Sequence, residues 1–192
     1  LVIQAGNWEA PFGITFVADT FSSSLVLLTS IVGAAVSMFA AGTVVWERMK
    51  FGFLPIYHFL LMGLSGVLLT GDIFNLYVWF EIVHISSFVL LALGSEKPQL
   101  QGAVKYFTLN MLASIIFLTG LGILYGLTGT LNMADLATKV AAIENRNLIY
   151  VCALFFFVGF GIKSAVFPLY FWLPDSYHTP PAAVSAIFSG LL

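Results

Sequence analysis

Residues 106–134 read YFTLNMLASIIFLTGLGILYGLTGTLNMA, and no charged side chain interrupts them. A helix needs about 20 apolar residues to cross the hydrocarbon core of a bilayer, so this stretch alone takes the chain out of the class of water-soluble domains. Upstream, Thr20 to Trp46 and Phe51 to Gly71 are equally free of Asp, Glu, Lys and Arg. Of all 192 residues 60% are hydrophobic and only 8% charged, against about 25% charged in an ordinary soluble domain. The chain reads as an all-α polytopic membrane protein.

Outward from that stretch, hydropathy and turn residues predict spans over about Phe16 to Trp46, Phe53 to Leu69, Asp72 to Leu93, Gly102 to Leu127 and Leu148 to Trp172. A further helix begins near Pro181, because a proline in the first turn forfeits no helical hydrogen bond. The chain starts at Leu1 and stops at Leu192 within that apolar run, so it reads as a fragment. Residues 1–192 are expected to form one transmembrane domain fragment, five complete helices and the start of a sixth. Leu131 to Ile143 carries apolar residues at helical spacing but is too short and polar to cross. It reads as a surface-lying amphipathic helix or a connector. Arg48, Lys50, Lys97 and Lys105 share one predicted face and Lys139 and Arg146 the other, which puts the first face in the cytoplasm.

Several chemistries are excluded at this level. Seven Lys+Arg against nine Asp+Glu give a net charge of −2 without a basic stripe, so nucleic acid is not an expected partner. The single cysteine, Cys152, permits no intrachain disulfide and no CxxC or zinc spacing. No Gly-rich phosphate loop, HExxH or GxSxG occurs, so no cofactor and no metal is expected, and transport is a better reading than enzymatic chemistry.

Two charges stand where charge is expensive. Glu81 falls about nine residues into its predicted helix, roughly 13 Å along the axis, and Lys163 about fifteen residues into its own, roughly 22 Å. A charged residue at that depth costs about 2.5 to 3.5 kcal/mol, tolerated when it faces a protein interior, finds a partner or moves an ion. A direct or water-mediated Glu81–Lys163 pair is therefore expected, either as a static packing device or as a titrating switch. Tyr77, His84 and Ser87 share a stripe with Glu81, which makes His84 a candidate proton relay or else a hydrogen-bonded packing histidine. Pro168, five residues after Lys163, cannot donate to the carbonyl of Ser164, so the helix should kink or unwind there. Irregular backbone at membrane depth survives only inside protein or beside water. His178, in the Pro-rich stretch Trp172 to Pro181, is a candidate for passing protons between an interior cavity and the loop face, or a solvated loop residue. Lys105 reads as an interfacial lysine or a relay.

Gly71 to Glu81 (GDIFNLYVWFE), Thr128 to Ala137 (TGTLNMADLA), Phe167 to Pro174 (FPLYFWLP) and Pro180 to Leu192 (PPAAVSAIFSGLL) resemble the D subunit of the Mrp-type multisubunit cation/proton antiporter. That superfamily also includes antiporter-like subunits of membrane-bound hydrogenases and respiratory complex I. The resemblance covers essentially the whole chain. It implies a bundle of about fourteen helices with two inverted five-helix repeats and broken helices at their centres, of which this chain holds most of the first repeat, with a broken helix near Lys163–Pro168. It maps the family's acid onto Glu81 and its broken-helix lysine onto Lys163, while His84 departs from the pattern. It further implies a proton-translocating subunit exchanging Na⁺ or another monovalent cation for protons, multi-pass in a prokaryotic plasma membrane, with other membrane subunits and the lipid bilayer as partners. The alternative is a proton-pumping subunit of a redox-driven complex, in which case the chain would be part of a translocase.

Overall fold

Asp19 sets where the first long helix begins. Its carboxylate accepts from the backbone N–H of Ser22 while the Ser22 hydroxyl oxygen accepts from the Asp19 N–H, a reciprocal cap that satisfies two otherwise unpaired donors. Hydrogen bonds from the Ser22 backbone and side chain hold the Asp19 carboxyl below the usual carboxylate range. The predicted start at Phe16 is therefore too early. In the computed structural model, which describes residues 1–144 and 146–192, Phe16 lies in a short strand. That strand, β2 (Thr15–Val17), pairs antiparallel with β1 (Val2–Gln4), a two-stranded element that the all-α expectation did not contain.

The helices follow as α1 (Thr20–Thr43), a single-turn α2 (Trp46–Lys50), α3 (Phe53–Leu69), α4 (Ile73–Ala92), α5 (Lys97–Thr128), α6 (Met133–Ala142), α7 (Asn147–Lys163), α8 (Trp172–Tyr177) and α9 (Ala182–Leu191). Among the described residues, α1, α4 and α5 are long and apolar enough to cross a membrane. With 17 residues each, α3 and α7 span about 25 Å. Against the predicted spans, α5 starts earlier, at Lys97, where Pro98 occupies its first turn, α1 ends at Thr43 and not Trp46, and the span predicted over Leu148 to Trp172 ends at Lys163.

Packing is sequential. α3 lies along α4, α4 along α5, and α5 along α7 and α8, while α1 packs on α3 and α9. The α3–α4 approach is close because Gly66 faces Trp79: a Cβ there would come within 2.2 Å of the indole. Tyr57 of α3 donates to the Gly33 carbonyl of α1 at 2.7 Å in a fully buried contact. Large apolar side chains such as Phe51, Phe157 and Phe167 point outward, as a surface facing lipid or neighbouring helices requires.

The two ends of the bundle match the predicted alternation. At one end Arg48 donates to Glu96 at 2.9 Å, so the α1–α3 and α4–α5 connections share a face. At the other, a buried polar clasp joins the β-hairpin, the α3–α4 turn and the start of α6: Asn132 donates to Thr15, and the Gly71 N–H to the Thr15 carbonyl. Asn132 also caps α6 by accepting from Ala134 and Asp135. The amphipathic expectation for this segment is refined by burial, since Leu136 of α6 packs with Leu124 and Cys152. Its polar face carries the Lys139–Asp135 pair at 3.1 Å, which holds the Asp135 carboxyl below the usual range.

The predicted break is present, and it comes earlier than Pro168. α7 stops at Lys163, where the Val166 N–H bonds to the Gly161 carbonyl and the Ala165 N–H to that of Ile162. That is the hydrogen-bond pattern of a Schellman turn. It needs a left-handed residue, here Ala165 at φ 49°, which costs a non-glycine residue about 1 to 2 kcal/mol. Ala165→Gly is expected to raise the stability of the purified protein by up to about 1 kcal/mol, measured as an upward shift of its thermal midpoint. An unchanged or lower midpoint counts against the strain.

Candidate functional site

Glu81 occupies the middle of α4, and its side chain is only 21% exposed. Ser114 of α5 donates its hydroxyl to one carboxylate oxygen. The other oxygen lies 3.7 Å from Nδ1 of His84, one turn further along α4, just outside hydrogen-bond reach. Lys163, the last residue of α7, places its ammonium 5.2 Å from the ring centroid of Phe80, the neighbour of Glu81. No ion pair within 4 Å joins acid and amine among the described residues. The direct contact allowed by the sequence is thus replaced by an aromatic ring under the ammonium and a hydroxyl on the carboxylate.

The broken helix explains why a lysine can stand here. Ending α7 at this depth presents a helix C-terminus, whose partial negative charge favours a cation in the last turn. The Ile162 carbonyl, which accepts from the Ala165 N–H, accepts also from the Trp172 indole N–H at 2.9 Å. Lys163, His84, Tyr106, Asn110 and Trp172 line a cavity of about 530 Å³ between α4, α5, α7 and the mostly apolar walls of α1, α3 and α9.

His84 is 2% exposed, stacked on Phe107 and tilted against Tyr106. Neither of its ring nitrogens has a hydrogen-bond partner among the described residues. A buried polar atom left unpaired costs about 1 to 3 kcal/mol.

The remaining sequence candidates lie elsewhere. Lys105 is exposed and pairs with Asp175 at 2.5 Å, tying the segment after the break to α5. The exposed His178 donates from Nδ1 to the Pro174 carbonyl at 2.5 Å and is not among the residues lining the cavity. Ser87 donates its hydroxyl to the Val83 carbonyl at 2.6 Å, and the Tyr77 ring stacks on Phe117. Sequence reasoning missed Ser114 and Asn110. Two polar residues four apart in the uncharged stretch of α5 were the available signal. Among the described residues, no group of three or more His, Cys, Asp or Glu side chains is disposed to hold a metal.

Fold and site together define a multi-pass helical membrane protein with ionisable groups in its interior. A family model described as NADH:quinone oxidoreductase/Mrp antiporter, transmembrane, matches residues 70–192, and the chain belongs to that family. It is 51% identical over 191 residues to the D subunit of the Na⁺/H⁺ antiporter of Alkalihalophilus pseudofirmus, a match covering 100% of this chain and 39% of that protein. Among solved structures it resembles a chain of the membrane-bound sulfane sulfur reductase, an archaeal respiratory membrane complex. That match has a TM-score of 0.93 and 33% identity over 98% of this chain and 38% of the other. It also resembles a chain of the Mrp complex of Dietzia sp. DQ12-45-1b, with a TM-score of 0.85 and 30% identity over 99% of this chain and 35% of the other. The chain thus spans about two fifths of the length of these relatives.

Proposed function

We propose that this chain is part of a proton-translocating subunit of a multisubunit cation/proton antiporter, with Na⁺ as the cation, in the plasma membrane of a prokaryote. It works beside other membrane subunits, within a bundle of about fourteen helices built on inverted repeats. The observation that carries the reading is that His84 and Lys163, from two helices, line one half-open cavity beside a broken helix, with Glu81 3.7 Å behind His84.

In this reading Glu81 and Lys163, which stand apart in this structure, are coupled by movement of the Lys163 side chain. When the Lys163 ammonium swings off Phe80 toward Glu81, an ion pair forms and both groups hold their charges. When it swings back, the pair separates, the amine becomes free to lose a proton to interior water and the carboxylate becomes free to gain one. Coupling of this kind makes the two titrate together. Glu81→Gln preserves shape and hydrogen bonding to Ser114 but removes the charge. In the complete complex in vesicles it is expected to abolish cation-driven proton exchange while the set of assembled proteins stays unchanged. Exchange at the wild-type rate refutes the proposal.

A second reading is favoured by the TM-score of 0.93 to a chain of a respiratory complex: a proton pump powered by an attached redox module. The proteins that purify with the chain decide, iron–sulfur proteins pointing to the redox complex and small hydrophobic subunits alone to the antiporter.

A further inference from the structure

The three histidines of this chain behave differently. His58 uses Nδ1 on the Leu54 carbonyl at 2.8 Å and His178 on the Pro174 carbonyl at 2.5 Å, each one turn back along its own segment. Both are exposed, and even so a backbone carbonyl fixes the tautomer and satisfies one nitrogen of each. His84 is the most buried of the three, yet both its nitrogens are left without a partner among the described residues. One of them lies 3.7 Å from the Glu81 carboxylate, and the ring borders the cavity that Lys163 also lines. Liquid water occupies about 30 Å³ per molecule, so the 530 Å³ cavity has room for a chain of waters, and Asn110, Tyr106 and Lys163 supply the polar wall that such waters need.

We propose that His84 is a proton carrier inserted between Glu81 and the water of the Lys163 cavity, so that acid and amine exchange protons through an imidazole while they stand apart. This deepens the proton-translocating reading and rests on it. A protonated Glu81 carboxyl gives its proton to Nδ1 of the neutral ring across the short gap, leaving a carboxylate and an imidazolium. Both ring nitrogens are shielded from water in this conformation, so a small rotation of the ring brings the other nitrogen to the cavity, where the imidazolium releases its proton to a water from which a neutral Lys163 amine takes it. Each transfer moves one proton and no electrons, and the ring ends in its other tautomer, reset when the sequence runs back or the ring turns over. The titratable groups around the ring are Glu81 on its own helix, Tyr106 on α5, and Lys163 on α7 and Tyr177 on α8 across the cavity. The side chains that α1 and α3 contribute to the cavity wall carry no titratable group.

The test uses the complete complex in vesicles, with His84→Leu and His84→Gln compared with wild type for assembly, exchange rate and pH dependence. Leucine fits the same apolar slot and removes two unpaired nitrogens, so that variant is expected to assemble and to be at least as heat-stable as wild type. Both variants are expected to exchange about tenfold more slowly or worse. The part of the pH–rate profile that changes between about pH 5 and 8, where imidazoles change charge, should be lost. A wild-type rate with a wild-type profile in either variant overturns the proposal. So does a slowed rate with an unchanged profile, or poor assembly of both variants, since these mark a packing histidine. A wild-type complex that exchanges no protons brings down the parent reading as well, whereas active wild type with unaffected variants brings down His84 alone.

Discussion

Vesicles containing the complete complex with Lys163→Ala are expected to lose cation-driven proton exchange by a hundredfold or more while the complex assembles at the wild-type level. The second half of that expectation follows from magnitudes. Insertion of a charged lysine at membrane depth costs about 2.5 to 3.5 kcal/mol. Water in the cavity lowers that cost, while a cation over an aromatic face beside water returns about 0.5 to 1 kcal/mol and a cation in the last turn of a helix about 0.3 to 1 kcal/mol more. Lys163 has both, through Phe80 and through the end of α7. These amounts nearly cancel, so deleting the amine changes stability little. The functional loss has no such offset. Lys163 is the only Lys or Arg among the residues lining the cavity, and alanine leaves the Glu81–His84 side with no amine to exchange with. The measurement is proton flux under an imposed cation gradient, read beside the protein composition of the same preparation. Retained flux removes Lys163 from the proposed path, and failed assembly makes it a structural residue.

What could be read in the sequence divides along physical lines. The spans were legible because a bilayer imposes length and charge limits on each segment by itself. Glu81 and Lys163 were legible for the same reason: the cost of a buried charge is a local property of a helix in lipid. The β-hairpin was not, since three-residue strands are too short to show an alternation. The break near Lys163–Pro168 was legible from Pro168, but the end of α7 at Lys163 was not, and the span was carried on to Trp172, because the turn uses Ala165 in the left-handed conformation, where glycine is the usual signal. The partners of the site were hidden altogether. Ser114 reaches Glu81 across 33 positions and Lys105 reaches Asp175 across 70, pairings that exist only after α4, α5 and the segment beyond the break have packed. The two unpaired nitrogens of His84 belong to the same category, because sequence can propose a buried histidine but not whether a carbonyl happens to face it.

That packing makes a second large effect predictable, at Gly102. In an ordinary helix interior, Gly→Ala gains about 1 kcal/mol of helix propensity, and Gly122 on the same helix, with no atom of this chain within 4 Å of an added Cβ, should show that gain. At Gly102 the added Cβ would lie 2.5 Å from the Asp175 carbonyl oxygen and 3.3 Å from the Ser176 Cα, backbone atoms that cannot rotate away. Overpacking of this kind costs about 1 to 3 kcal/mol. Here the displaced backbone also carries the Ser176 hydroxyl bonded to the Gly102 carbonyl, the Lys105–Asp175 pair and the Thr179 carbonyl that accepts from Gln99. Losing even one of these outweighs the propensity gain, so the sign reverses. Gly102→Ala is expected to lower the thermal midpoint of the complex by several degrees and to slow exchange. The same shift moves α8, and with it the Trp172 indole that closes the broken end of α7 beneath Lys163. Gly122→Ala leaves exchange intact. Equal midpoints for the two variants would mean that α8 does not rest on Gly102 in the working protein, and the broken helix would then owe its position to neighbouring subunits.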